Sequence, residues 1–125
     1  MNARTVASEL LAAMLNKPLF VALRRPADLT RAAELLEAHL QWAIGAERRG
    51  ELFASGPFAV EGGQPGANGG MSILRASSEE EVRQLLADDP YVAEGVFKVD
   101  IKKWMLMEGG MTVTVRFSDQ SSRMH

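Results

Sequence analysis

Hydrophobic and polar positions along this chain recur with two different periods, and each change of period marks an element. Val6, Leu10 and Met14, with Leu11 and Leu15, recur at helical spacing behind Thr5, a good N-cap. They predict a first helix that ends at Asn16, ahead of Pro18. Residues 19–25 switch to alternation, with Leu19, Val21 and Leu23 on one face and Phe20 and Ala22 on the other. A strand apolar on both faces is covered on both sides. Pro26 and Asp28 then open a longer helix that closes near Gly50. Leu29, Ala32, Leu36, Leu40 and Ala43 share one face of it, and Arg31, Glu34, Glu37 and Gln41 lie elsewhere.

Residues 51–58 predict a second strand, broken by Gly56-Pro57. A glycine-rich loop over 59–70 follows, predicted to be mobile, and then a third strand over 71–76. Ser77 or Ser78 caps a third helix with Glu79, Glu80 and Glu81 in its first turn, where the helix dipole favours anions. Val82, Leu85 and Leu86 form its apolar face, and Asp89-Pro90 ends it. Tyr91 to Gly95 allows one more turn. Phe97, Val99 and Ile101 alternate with Lys98, Asp100 and Lys102 as a strand with one wet face. Gly109-Gly110 turns the chain into a last strand over 111–117, and 118–125 predicts a disordered tail.

The resulting order is a helix, then β-α-β-β-α-β, then one extra strand. The β-α-β-β-α-β run is the ferredoxin-like pattern of an α+β sandwich, with an antiparallel sheet and both helices on one face. The other sheet face is left uncovered in a monomer. A second copy of the chain is the simplest cover, so a homodimer is expected.

Composition narrows the function classes. The chain has 125 residues, enough for one domain with a real core. Its net charge of −2 comes from interspersed acids and bases, without the basic stripe of a nucleic-acid binder. It has no cysteine, which excludes disulfides, thiolate catalysis and zinc–thiolate sites. The apolar run 10–15 lies between Glu9 and Lys17-Pro18 and is too short to span a bilayer, so a cytoplasmic protein without membrane contact is expected.

Candidate chemistry is sparse. His39 shares the apolar face of the long helix. Either it is a satisfied core histidine, or it is a general acid or base, since an unperturbed imidazole titrates near neutral pH. Asp88 and Asp89 sit at a helix C-terminus, against the unfavourable pole of the dipole. They are either solvated there, or one of them orients and charge-stabilises a histidine. The glycine-rich loop has neither a dinucleotide fingerprint nor a Walker lysine, and reads as a lid or wall over a pocket. Arg24, Arg25 and Arg75 are weaker candidates for contacting an anionic ligand. There is no GxSxG elbow, and a lone histidine gives no support for a metal site.

Two stretches nevertheless form a familiar pair. His39-Leu40, Gly50, Leu52 and Ser55-Gly56-Pro57 resemble the HL…G.L…GP signature of the YCII-related domain family. Asp89-Pro90-Tyr91-Val92-Ala93-Glu94-Gly95-Val96-Phe97 resembles that family's DPYV motif, and the next strand ends at an aromatic, here Trp104. The resemblance implies a ferredoxin-like fold that dimerises sheet to sheet, the dimeric α/β barrel. It implies a His–Asp active-site pair, His39 and Asp89, with Ser55, Gly56, Pro57 and Tyr91 as substrate-binding positions. It divides the chain into an N-terminal helical extension (1–17), the family domain (18–106) and a C-terminal strand and tail (107–125). The chain departs from the pattern after Gly56-Pro57, where Glu61 is the only acid in the loop, and in its two extensions.

The expected function is a cofactor-independent enzyme acting on a small organic molecule, phenols included. A His–Asp acid/base pair would run an elimination or isomerisation in a pocket between helix and sheet. The alternative is a non-catalytic small-ligand binding or regulatory protein on the same barrel.

Overall fold

The computed structural model describes residues 5–125. In chain order its elements are α1 (Val6–Ala13), β1 (Lys17–Pro26), a 3-10 turn (Leu29–Arg31), α2 (Ala32–Arg48), β2 (Leu52–Pro57), β3 (Gly70–Leu74), α3 (Glu79–Ala87), α4 (Pro90–Ala93), β4 (Phe97–Leu106), β5 (Val113–Val115) and β6 (Ser122–Met124). They form two compact units, one over residues 18–105 and one from the two chain ends.

The larger unit is the ferredoxin-like α+β sandwich that the pattern predicts. Its sheet has the order β2-β3-β1-β4, with β3 antiparallel to both β1 and β2. In the β1–β3 register Phe20 faces Leu74, Ala22 faces Ser72 and Arg24 faces Gly70. Because strand side chains alternate between faces, Phe20, Ala22 and Arg24 lie on one face with Leu74 and Ser72. The hydrocarbon end of that face buries Phe20, Ala22, Leu52 and Leu74 against Ala46 of α2 and Val82 and Leu86 of α3. Both helices therefore pack on the same side of the sheet.

Local chemistry sets the helix ends. Asp28 accepts a hydrogen bond from the Thr30 amide at 3.1 Å and caps the 3-10 turn, so α2 proper begins at Ala32, later than the pattern suggests. Gly50 follows α2 at φ 80°, a left-handed conformation that glycine adopts without strain, and its amide donates to the Glu47 carbonyl. Ser78 caps α3 by accepting from the Glu81 amide. Val82 and Leu86, one turn apart, then face the core. Burying a side chain such as Leu86 stabilises the fold by about 1.5–3 kcal/mol.

The faces of α2 divide in an informative way. Ala46 is buried, and Leu35, Trp42 and Ala43 are half-buried against neighbouring side chains. Leu36, Leu40 and Ile44, on the face that carries the strongest apolar pattern, remain exposed. That stripe lines an open cavity.

The chain ends form the second unit. Thr5 caps α1 by accepting from the Ser8 amide at 3.0 Å. Asn16, at φ 52°, donates its side-chain amide to the Leu11 and Met14 carbonyls and closes the helix. The Leu15 amide donates to the Met107 carbonyl. The sequence pattern is corrected here in two respects. The expected strand over 111–117 shortens to β5, and it pairs outside the main sheet. The expected disordered tail over 118–125 instead returns as β6, antiparallel to β5, with Val113 opposite Met124 and Val115 opposite Ser122. The turn between them is built by polar groups, which leave no hydrophobic signal: Asp119 accepts from the Ser121 amide, and Gln120 sits at φ 57°.

Candidate active site

The polar part of the helix-facing sheet surface begins one rung beyond the hydrocarbon core. Arg24 follows Phe20 and Ala22 in the same parity, so its guanidinium points under the helices and is only 6% exposed. It divides its donors. Nη1 donates to Asp89 Oδ2 at 2.6 Å, and Nε donates to Ser72 Oγ at 2.8 Å.

Asp89 is fully buried at the junction of α3 and α4. Its other oxygen, Oδ1, accepts from the Tyr91 amide at 3.0 Å, which makes Asp89 the N-cap of α4, with Pro90 in the first turn. The same oxygen lies 2.9 Å from His39 Nδ1. The adjacent carboxylates thus separate. Asp88 is the exposed C-cap of α3, while Asp89 turns inward at the favourable, N-terminal end of the next helix.

Burial alone would push the Asp89 carboxyl up. The hydrogen bond to His39 and the Arg24 charge outweigh it and hold the carboxyl below its ordinary value. Asp89 is therefore ionised at neutral pH and can only accept hydrogen bonds. It follows that His39 Nδ1 carries the hydrogen between them. In the neutral imidazole Nε2 is then the unprotonated nitrogen, with its lone pair available.

Packing fixes the imidazole plane. Tyr91 stacks on it at 4.4 Å between centroids and 18° between planes, and Trp42 lies at 6.1 Å and 29°. Tyr91 is itself held edge-on by Phe97 and donates its hydroxyl to the Ala32 carbonyl at 3.0 Å. Burial, and then the nearby Asp89 charge, push the Tyr91 hydroxyl up, so it stays a donor.

His39, 17% exposed, opens into a cavity of about 600 Å³ within the larger unit. Leu36, Leu40 and Ile44 of α2 form its apolar wall. Ser55, Gly56 and Pro57 of β2 lie across from them, and the glycine-rich loop closes one side through Gln64 to Ala67. That loop leaves the sheet through Gly69 and Gly70. Gly69 sits at φ +80°, where a Cβ would lie 2.0 Å from the Arg24 carbonyl oxygen; at Gly70 a Cβ would lie 2.6 Å from that of Gly56.

Of the residues predicted from sequence, His39, Ser55, Gly56, Pro57 and Tyr91 line this cavity, and Asp89 stands behind it, reaching it through His39. Arg25 and Arg75 lie elsewhere: Arg25 pairs with Asp100, and Arg75 donates to the Gly50 carbonyl. Arg24, expected only as a weaker candidate for contacting an anionic ligand, also lines the cavity, whereas its contacts with Asp89 and Ser72, and the contribution of Ser72 itself, were not predicted. Their parity with Phe20, Ala22 and Leu74 was the available signal, because a polar side chain on a buried strand face must find a partner. Among the described residues, no three His, Asp or Glu side chains gather closely enough to hold a metal ion, and no helix is long and apolar enough to cross a membrane.

Comparison with known proteins agrees with this fold. The family model of the YCII-related domain matches residues 18–105. Among solved structures, the chain is similar to 5-chloro-2-hydroxyhydroquinone dehydrochlorinase from Burkholderia phenoliruptrix AC1100 in complex with 2,5-dihydroxybenzoquinone. The TM-score is 0.57 and the identity 23%, over 69% of this chain and 92% of the dehydrochlorinase chain. Curated protein sequences return no significant match. With the family model covering the whole sheet and both of its long helices, the chain belongs to the YCII-related domain family.

Proposed function

We propose that this protein is a cofactor-independent enzyme that moves a proton on a small organic ring, with His39 as the base or acid and Asp89 as its orienting partner. One observation carries the reading: a buried, ionised Asp89 holds Nδ1 of a cavity-lining histidine and leaves Nε2 as the free nitrogen. In the forward step Nε2 takes a proton from an acidic O–H or C–H of the substrate. The imidazolium that forms lies against the Asp89 carboxylate, which stabilises its charge. In an elimination the leaving group departs with its bonding pair. In an isomerisation the same proton returns to another atom of the substrate. A positioned acid or base of this kind contributes about 10²–10⁴ in rate.

The cavity suits a flat, hydroxylated ring. Its volume of about 600 Å³ falls in the range of small-molecule sites, and it combines an aliphatic wall with few polar groups. The dehydrochlorinase of similar fold acts on a chlorinated hydroxyhydroquinone and binds a dihydroxybenzoquinone, so chlorinated and hydroxylated quinols are the first substrates to test. The same reading pairs two copies of the chain through the sheet face opposite the helices, where Val21, Leu23, Met71 and Ile73 carry apolar side chains in matched register.

The test is turnover of a quinol panel, with chloride release from 5-chloro-2-hydroxyhydroquinone as the first assay. His39→Asn is expected to lower kcat by about 10²-fold or more while the variant keeps its melting temperature within a few degrees. A His39→Asn protein that binds substrate less tightly but turns it over at the wild-type rate contradicts the catalytic role.

A further inference from the structure

We propose that Arg24, Ser72 and Ser55 form a charge relay that delivers a polarised hydroxyl donor to the cavity, so that the site selects ligands bearing an anionic oxygen. The inference rests on the proposed function for its choice of ring ligands. It is carried by a count of hydrogens along a chain of contacts that starts buried at Arg24 and ends at the exposed Ser55.

Arg24 Nε–H donates to Ser72 Oγ at 2.8 Å, and a guanidinium cannot accept in return. Ser72 is fully buried, so its own O–H needs an acceptor. Its other side-chain partner is Ser55 Oγ, at 2.8 Å. With Ser72 donating to it, Ser55 is left with a free O–H. Ser55 lines the cavity and Ser72 does not, so the last hydrogen of the chain is the one a ligand meets. Each hydroxyl in such a chain is polarised by the one before it, and the first is polarised by a buried cation.

The cation has donors to spare. Arg24 Nη1 is engaged by Asp89, while Nη2 is buried without a hydrogen-bond partner. The guanidinium therefore has donor capacity beyond its Asp89 pair, and it serves both sides of the cavity at once. Through Nη1 it keeps the Asp89–His39 side ionised and oriented. Through Nε it directs the Ser72–Ser55 side toward negative charge. A substrate that loses a proton to His39 gains negative charge on a conjugated oxygen, and the relay supplies a donor for it. Ser55 is then a binding residue and Ser72 a positioning residue that acts through it, while Arg24, which also lines the cavity, orients the chain at its buried end.

The experiment uses the full chain and two probes, 2,5-dihydroxybenzoquinone, which ionises, and 2,5-dimethoxybenzoquinone, which cannot. Affinities are measured by absorbance or calorimetry above the point where the first probe is ionised. Wild type is expected to prefer the ionised probe. Ser55→Ala should reduce that preference by about 10–100-fold, the scale of a hydrogen bond to a charged group, and Ser55→Thr should restore it. Ser72→Ala should reduce it as well, although Ser72 does not reach the ligand. Equal preference in wild type and Ser55→Ala overturns the proposal. So does a loss in Ser55→Ala that Ser72→Thr and Ser72→Ala both fail to modulate, because Ser55 would then act alone. Ser55 is exposed, so its variants fold whatever the fate of Ser72→Ala. The readout is independent of turnover, because it compares the affinities of two probes and needs no reaction to occur.

Discussion

One face of one sheet carries two neighbouring regions built on opposite principles. At the Phe20–Leu74 rung the contents are hydrocarbon, closed by Ala46, Val82 and Leu86. At the Ala22–Ser72 and Arg24–Gly70 rungs the same strands carry a hydroxyl and a guanidinium, linked to Asp89 and His39. The first region is stabilised by removing apolar surface from water. The second places charges out of water, where desolvation offsets much of their attraction. A buried ion pair is a weak contributor to stability and a strong determinant of geometry. The polar region therefore fixes the geometry of His39 and Asp89, and the hydrocarbon region holds the fold.

Breaking each region separates the two roles. The largest stability effect is expected from Arg24→Met, which leaves the Asp89 carboxylate buried without its cation; losing one partner of a buried pair costs about 3–5 kcal/mol. Chemical denaturation measures it. Leu86→Ala in the hydrocarbon region should cost a comparable amount, about 2–5 kcal/mol, yet leave ligand preference intact. His39→Asn should do the reverse, with a small stability change and a large loss of turnover.

Acid sharpens the contrast. The Asp89 carboxyl is held below its unfolded value, first against burial, by the His39 hydrogen bond and then by the Arg24 charge. Its contribution is present above the unfolded carboxylate range, about pH 4, and is lost as pH falls through its lowered folded value. Asp89→Asn should therefore flatten the fall of stability below about pH 4, measured by thermal melts across that range, whereas Leu86→Ala should leave its slope unchanged. The smallest effect belongs to Asp88→Asn, at an exposed position beside Asp89, expected within about 0.5 kcal/mol of wild type. A large effect there would undo the separation of the two carboxylates.

How far the sequence revealed these regions follows from their physics. Phe20, Leu74, Val82 and Leu86 announce themselves by period, because burial of apolar surface is what the period records. His39 and Asp89 lie 50 residues apart, and no local pattern links them. The residue pattern offered either Asp88 or Asp89 as the partner of a histidine, and the paired motifs of the family resemblance selected Asp89. Arg24 and Ser72 were legible in principle from parity, but an arginine near a strand end reads as solvated unless the burial of its face is taken seriously. Leu36 and Leu40 read as part of an ordinary helix face and, together with Ile44, proved to be cavity wall. The β5–β6 hairpin was hidden because its turn is made by Asp119 and Ser121 rather than by an apolar alternation.

The central claim is that ionised Asp89 fixes the tautomer of His39. Long-range ¹H–¹⁵N correlation spectra of the imidazole measure this directly under conditions where His39 is neutral. The account predicts hydrogen on Nδ1 and a bare Nε2 in the wild type, with that assignment lost in Asp89→Asn. A neutral His39 with its hydrogen on Nε2 would contradict it, because Nδ1 would then face a carboxylate with nothing to donate.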